Sequence, residues 1–430
     1  MVRILVWGTG STGIATAKEM KRQGHEVRLV DENIPSRDMD IPVEILGPKH
    51  MDWAELVIPS PGIPRNHPLL AKAKRVVSEI EMASRLLHGK IIGVTGTNGK
   101  TTTVTLIHSI LSASGNDVGL GGNISPPLIS LAEADPAIVV AEISSFQLEW
   151  IETFKPFIAV CLNLSPDHLD RYRDMEEYTS QKMRIFQNQG KDDIAVVNDD
   201  DPYLKDIRFN SITAGFALSK GERSSGAYLK DGYIYFYGEI EGKGPSLKHT
   251  KVRSKGLIED MMASALVTRF LGVSTEIMEK VFMEFRGIKH RFELVAEMGG
   301  VRFINDSKAT NVGAVEKALA GVGSRVVLIL GGRDKGGDFS SMAQRYASAI
   351  KKAIIIGEAS QRIKKEVSPF VDVYMAQGMK EAVRQAIAIA SPGETVLLSP
   401  GCSSFDMFKN YEHRGDVFTR CVTDMSMKKN

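Results

Sequence analysis

The sequence predicts an α/β protein of three domains, and three observations carry that prediction. Apolar runs of strand length alternate with helical patterns along most of the chain, which is the rhythm of βα units and parallel sheets. Two glycine-rich strand-to-helix turns of different kinds occur early, Gly8-Thr9-Gly10-Ser11-Thr12-Gly13 and Gly96-Thr97-Asn98-Gly99-Lys100-Thr101-Thr102. At 430 residues the chain also exceeds one ordinary core, and its length suits roughly three domains. The divisions are expected at 1–89, 90–288 and 289–430.

Composition narrows the class. Hydrophobic content of 43% and charged content of 25% are those of a globular protein. A net charge of +2 gives no electrostatic footprint for nucleic acid or a membrane surface. Cys161, Cys402 and Cys421 are odd in number, far apart and without a CxxC pair, which predicts a reducing compartment and no structural zinc. Met1–Gly10 lacks the apolar core of a signal peptide, and no window reaches the ~18 apolar residues of a membrane span. A cytoplasmic monomer is expected.

In the first domain, Val2–Trp7 reads as a strand, followed by the glycine turn and a helix to about Arg22. A second strand, Glu26–Val30, ends in Asp31. This is GxGxxG with an acidic residue at the next strand end, the dinucleotide fingerprint of a Rossmann-like fold. A full dinucleotide site needs two such halves, and the second glycine loop begins after only about ninety residues. Half a site suits a smaller nucleotide or a sugar nucleotide. Ser60-Pro61-Gly62-Ile63-Pro64, at the end of a strand Leu56–Pro59, would line the same crevice. Glycines serving only strand-to-helix packing are the bland alternative.

The second domain is organised around Ile91–Val94, the glycine loop and the helix after it. Loop glycines let backbone N–H groups turn toward a polyphosphate, and a helix N-terminus adds a fixed positive field. Lys100 reaches β/γ-phosphates and the Thr101 hydroxyl binds Mg²⁺ in such loops. GxxxxGK[ST] wants Gly at 94, where this chain has Val, so the loop is a variant P-loop for ATP or GTP. The strand Ala137–Ala141 ends in Glu142, where a Walker-B-type Mg²⁺ ligand sits; a helix N-cap is the plainer alternative, since Ser144 and Ser145 follow. Another strand, Phe157–Leu162, leads to Asp167-His168-Leu169-Asp170. The helix from about Met175 to Phe186 carries Lys182, which periodicity alone puts on the solvated face. Tyr228–Tyr235 reads as a hairpin about Asp231-Gly232, giving the parallel sheet a small antiparallel patch. Helices near Glu259–Phe270 and Glu276–Phe285 follow, and Gly287–His290 reads as a hinge.

The third domain returns to a βα rhythm with strands Val301–Ile304, Val326–Leu330, Ala353–Ile356 and Thr395–Leu398, a second Rossmann-like sheet. Three strand ends are polar: Asn305–Thr310, Gly331–Lys335 and Ser399–Ser404. Ligands of open α/β sheets bind outside the carboxyl ends of strands, so these loops are expected to share one crevice, and Lys308, Lys335 and the Ser403/Ser404 hydroxyls would select a carboxylate.

These stretches together resemble the Mur ligase family of ADP-forming amide ligases. The resemblance rests on Thr95–Thr102, Glu142-Ile143-Ser144-Ser145-Phe146-Gln147-Leu148, Asp167–Tyr172, His290-Arg291-Phe292-Glu293, Asn305-Asp306-Ser307-Lys308-Ala309-Thr310-Asn311, Leu330-Gly331-Gly332 with Lys335, and Ser399–Ser404 continuing to Phe408-Lys409-Asn410. GTNGKT alone also admits folylpolyglutamate synthases and other Mur-type ligases. DSKATN and SPGCSSFD narrow it to the branch that adds D-glutamate to UDP-N-acetylmuramoyl-L-alanine in peptidoglycan synthesis. The resemblance implies UDP binding by Ser11, Thr12, Asp31 and Gly62, with Asn123 and His168 on the nucleotide-sugar substrate. It implies ATP on Gly96, Thr97, Asn98, Gly99, Lys100, Thr101 and Thr102, with Arg291 and Asp306 as further ATP contacts. Two Mg²⁺ ions are implied on Thr101, Glu142, His168 and Lys182, the last as a carbamate, which reverses the solvated reading of that lysine. Catalysis would fall to Lys100, Glu142, His168 and Lys182, and the D-glutamate pocket to Lys308, Thr310, Lys335 and Ser404.

Two positions depart from the family pattern. Ile258-Glu259 stands where a His-Asn pair is usual, beside the nucleotide, and Arg333 stands where a small or acidic residue is common, beside the amino-acid pocket. Two rivals lie outside amide ligation. An oxidoreductase would use the first glycine turn, but the short domain opposes it. A protein that senses ATP without turnover has no use for a second metal site.

Overall fold

The computed structural model describes residues 1–33, 41–168, 171–250, 255–323, 325–334 and 336–427. Its α/β architecture is built on three sheets. The first has four parallel strands in the order Val43–Ile45, Glu26–Asp31, Arg3–Trp7, Leu56–Pro59. Ile4, Leu5, Val6 and Trp7 are all buried, as an unbroken apolar run requires when both faces of a parallel sheet are covered. Four strands make half of a dinucleotide fold, as the short domain predicts.

The second sheet has nine strands: Gly242–Ser246, Tyr233–Tyr237, Ser225–Lys230, Ile212–Ala217, Ile194–Asn198, Ile158–Cys161, Lys90–Thr95, Ile138–Glu142 and Val118–Gly122. Neighbours pair in parallel from Ser225–Lys230 to Val118–Gly122. The expected hairpin forms, with φ of 50° at Asp231 and 76° at Gly232 as a two-residue turn needs. Its strands continue the parallel sheet at one edge.

These two sheets fall in one compact unit, Met1–His249 with Gly256–Met283. One apolar core serves both, from Ile4 and Ile80 through Leu128 to Phe154 and Leu204. Burying each such apolar side chain contributes about 1.5–3 kcal/mol. Polar stitches reinforce it: the buried Glu81 carboxylate accepts from the amides of Glu152, Thr153 and Phe154 at 2.8–3.1 Å.

The second unit comprises Thr250–Lys255 and Glu284–Asn430. Its six strands run in the order Glu293–Met298, Val301–Asn305, Thr395–Leu398, Val326–Gly331, Ile350–Ile356, Val373–Met375. All pairings are parallel except the first, a hairpin edge. Separate apolar clusters cover the two faces, as in a doubly wound sheet. Among the described residues no helix is long and apolar enough to cross a membrane.

Candidate active site

The strand Lys90–Thr95 lies between Ile158–Cys161 and Ile138–Glu142, so the chain leaves the sheet in the middle of its carboxyl edge. The loop that follows is pinned on one side. Thr97 N donates to Asn163 O and Asn98 N to Asn163 Oδ1, both at 2.9 Å, and Asn163 Nδ2 returns a bond to Asn98 O at 3.1 Å. Thr97 Oγ1 lies 3.1 Å from the buried Tyr178 hydroxyl. The helix Lys100–Ala113 then starts directly from the loop. Lys100 Nζ folds back to Gly96 O at 2.8 Å and Thr97 O at 3.0 Å.

Glu142 ends the neighbouring strand and sits in register with Val94 on one side and Gly122 on the other. Its Oε2 accepts from Thr101 Oγ1 at 2.7 Å and its Oε1 from Asn123 Nδ2 at 3.0 Å. The carboxylate is thus buried and aimed by two neutral donors, with lone pairs left over. Thr101 and Glu142 offer hard oxygen atoms, which suit Mg²⁺. Among the described residues no three His, Cys, Asp or Glu side chains gather at metal-holding distance. The expected metal set therefore depends on Thr101 and on a modified Lys182.

The solvated position that periodicity assigned to Lys182 is overturned. Its side chain is 2% exposed, on a helix Met175–Met183 capped by Asp174, whose carboxylate accepts from Glu177 N at 2.8 Å. Lys182 Nζ donates to Gly96 O at 2.9 Å and lies 4.8 Å from the Tyr178 ring centre. Such partners offset the burial of an amine whose stem packs among apolar atoms. Burial first, and the Lys100 charge second, push its pKa down to about 7. His168 has φ of 55°, its ring 4.7 Å from Phe146 and 6.4 Å from Tyr178. Leu169 and Asp170 lie outside the described residues.

At the first sheet, Asp31 Oδ2 accepts from Thr9 N at 2.8 Å and Thr9 Oγ1 at 2.7 Å, and Oδ1 from Glu32 N at 2.8 Å. Burial alone would raise its pKa, but these bonds and one from Asn33 hold it below the usual range. Ser11 and Thr12 open the helix Ser11–Arg22, and Gly62 is exposed in the loop after Pro59. Packing accounts for two glycines of the fingerprint: a Cβ on Gly8 would lie 2.1 Å from Ser60 Oγ, and one on Gly13 1.8 Å from Gly8 O. Gly10 has open space instead.

Arg171 and Tyr172 are contributions that sequence reasoning quoted without a role. The Arg171 guanidinium binds Glu149 at 2.6 and 3.0 Å and also donates to Pro61 O at 3.0 Å and Ile63 O at 2.9 Å. It fixes the Ser60–Pro64 loop against the second sheet. Tyr172 donates to the same Glu149 at 2.9 Å.

In the second unit, Asp306 accepts from Phe292 N at 3.2 Å and Ser399 Oγ at 3.0 Å. Burial outweighs those bonds and the Arg291 charge, raising its pKa to about 7. Lys308 N donates to His290 O at 3.0 Å, and its ammonium stands 5.1 Å from the Tyr411 ring. Thr310 is half-buried and Ser404 buried. Lys335 lies outside the described residues. The residue that ties two of the three loops together is Arg414, fully buried, which sequence reasoning missed. It donates to Ser307 Oγ at 3.0 Å, Ser307 O at 2.8 Å and Cys402 O at 3.0 Å. Nothing in the polar run Tyr411-Glu412-His413-Arg414 marks one residue as interior. Arg333 exchanges backbone bonds with Ser403 at 3.0 Å in both directions, while its guanidinium turns outward to Glu358 at 3.1 Å.

The Mur ligase middle domain family matches residues 94–239, and the Mur ligase glutamate ligase domain family matches residues 290–402. The chain is 42% identical to the UDP-N-acetylmuramoylalanine--D-glutamate ligase of Geobacter metallireducens, across 97% of this chain and 96% of that protein. It is 40% identical to the protein of the same name from Geobacter sp., across 98% and 97%. Among solved structures it shares its fold with the MurF ligase of Thermotoga maritima in complex with ADP, with a TM-score of 0.59, 18% identity, and coverage of 98% of this chain and 95% of that one.

Proposed function

The chain belongs to the Mur ligase family, and on that premise we propose that it joins D-glutamate to UDP-N-acetylmuramoyl-L-alanine, releasing ADP and phosphate, as a step of peptidoglycan precursor synthesis. The observation that carries this reading is the strand edge where Lys100, Thr101 and Glu142 converge, with Asn123 on the second carboxylate oxygen. A carboxylate resists attack by an amine, so the acceptor's alanyl carboxylate first takes the γ-phosphoryl group of ATP. The amine of D-glutamate then attacks the acyl phosphate, and phosphate leaves. Bringing two unit negative charges to ~4 Å costs on the order of 4 kcal/mol at an effective dielectric of 20. Lys100 and the N-terminus of its helix offset that repulsion. Bound Mg²⁺, held by Thr101 and Glu142, would neutralise phosphate charge and polarise the γ-phosphoryl.

The finer assignments are part of the same proposal. Lys182 carries a carbamate that, with His168, holds a second Mg²⁺. Ser11, Thr12, Asp31, Gly62 and Asn123 serve the UDP-linked acceptor, and Thr97, Asn98, Thr102, Arg291 and Asp306 serve ATP. Lys308, Thr310, Lys335 and Ser404 serve D-glutamate. The division into 1–89, 90–288 and 289–430 follows these roles. Three free cysteines suit a reducing cytoplasm, and a monomer suffices because no role calls for a second chain.

The test is release of ADP and phosphate from ATP with each substrate supplied alone and together. Turnover requires the UDP-linked acceptor and an amino acid at once, with D-glutamate preferred in a panel. Equal ATPase rates with and without the acceptor would refute the reading.

A further inference from the structure

The helix Lys255–Phe270 passes beside the phosphate loop and buries an acid against it. Asp260 is 7% exposed. A Cβ on Gly99 would lie 2.1 Å from Asp260 Oδ1, 2.9 Å from its Cγ and 3.1 Å from its Oδ2, so the carboxyl fills the space that a side chain at 99 would take. Gly99 also has φ of 84°, a conformation that L side chains rarely adopt. Asp260 Oδ1 accepts from the fully buried Thr103 hydroxyl at 3.2 Å, and the Thr102 hydroxyl bonds the same carboxyl. One turn on, Ser264 Oγ donates to Asp260 O at 2.7 Å and reaches Thr103 O at 3.4 Å. The carboxyl therefore touches the last glycine of the loop and the first turn of the helix that follows it.

Among the described residues no cation is paired with this acid, and Glu259 on its own helix adds to burial in raising its pKa well above the usual carboxylate value. From the opposite helix it meets the Thr102 and Thr103 hydroxyls, while Lys100 turns to Gly96 O and Thr97 O. A negative charge here would stand against the backbone of the loop read as the ATP site. An uncharged acid adds none.

We infer that Asp260 is a positioning residue for the nucleotide: its carboxyl braces Gly99 and the Thr102–Thr103 turn and so holds the backbone of the phosphate loop in place. Nothing in this requires Asp260 to touch ATP. The inference rests on the reading of residues 96–102 as the ATP loop.

The experiment compares wild type, Asp260→Asn and Asp260→Ala by KM and kcat for each substrate at neutral pH, with calorimetric binding of ADP and Mg²⁺. Asn keeps the shape and the neutrality, so its KM for ATP stays within about twofold of wild type at neutral pH. Ala raises KM for ATP by about tenfold, the scale of one lost buried hydrogen bond, and leaves KM for D-glutamate unchanged. Should Ala fail to fold, Asp260→Ser, which shortens the brace but keeps a polar atom, takes its place. Equal impairment of Asn and Ala, or no impairment of Ala, would overturn the inference alone. Absence of ADP binding by the wild type would overturn the ATP-loop reading, and this inference with it.

Discussion

Lys100 and Lys182 donate to one acceptor, the main-chain carbonyl oxygen of Gly96, at 2.8 and 2.9 Å. Two ammonium groups on one oxygen repel each other, and the more buried of them gives up its proton more readily. That one is Lys182, and its pKa falls to about 7. A fixed charge is not what the phosphate loop gains from it. It gains a lysine whose neutral, nucleophilic form is well populated near neutral pH.

The first prediction is that Lys182 is carbamylated. Carbon dioxide would add to the free amine with loss of a proton, giving an anion with two oxygen atoms, which Mg²⁺ prefers to an ammonium. Native enzyme equilibrated with ¹³C-bicarbonate shows a carbamate carbon resonance that Lys182→Ala lacks. The variant loses at least ~10² in turnover, the scale of one lost electrostatic contact, and acetate restores part of it. An unlabelled native enzyme together with a fully active variant would sink the idea.

Lys100→Ala has two consequences. Removing the charge that offsets phosphate repulsion lowers turnover by at least ~10². Removing it also relieves the repulsion on Lys182, whose pKa rises, so less amine is neutral at pH 7 and the ¹³C-carbamate signal weakens at fixed bicarbonate. Unfolding midpoints change little, since Lys100 is only partly buried. A variant that keeps wild-type turnover would remove Lys100 from the chemistry.

The central strands were legible because they are apolar runs: Ile91–Val94, Ala137–Ala141 and Phe157–Leu162 match the observed Lys90–Thr95, Ile138–Glu142 and Ile158–Cys161 to within a residue at each end. Val118–Gly122 was not, since three of its five residues are glycine and the edge position needs little apolar content. Glu293–Met298 hid because the hairpin turn Gly299-Gly300 looked like loop. Lys182, Arg414 and Asp260 show a deeper limit. Each is a charged residue type held inside by partners that lie far away in sequence, Gly96 for the first, Ser307 and Cys402 for the second, Gly99 and Thr103 for the third. Helical periodicity carries no record of those partners. Family resemblance supplied Lys182, and only the packing supplied the other two.

Arg333, where the family favours a small or acidic residue, is expected to leave amino-acid selectivity alone. Its backbone braces Ser403, but its side chain is more than half exposed and pairs with Glu358. Such surface pairs contribute about 0–1 kcal/mol. Arg333→Ala keeps KM for D-glutamate within about twofold, because the backbone bonds remain. A several-fold change, or new turnover with other amino acids, would show that the guanidinium reaches the pocket.

Glu79 gives the first unit a pH-dependent weakness. It opens the helix Glu79–Leu86 and is 2% exposed. Oε1 accepts from Ile129 N at 2.6 Å, while Oε2 has no hydrogen-bond partner among the described residues. Burial raises its pKa from 4.5 to about 7, against the bonds from Ile129 and Leu128 amides. Between those two values the native state keeps a proton that the unfolded chain has released. Stability therefore falls as pH rises through this window, and the full loss is present above about pH 7. A shift of this size corresponds to about 3 kcal/mol. Glu79→Gln retains the acceptor for Ile129 and removes the ionisation. In urea unfolding of the first unit, the variant gains about 1–3 kcal/mol over wild type at pH 8 and little at pH 5. Asp306, which titrates near the same pH, belongs to the second unit and is common to both proteins, so the difference isolates Glu79. An equal gain at both pH values would mean that packing, not ionisation, sets the effect.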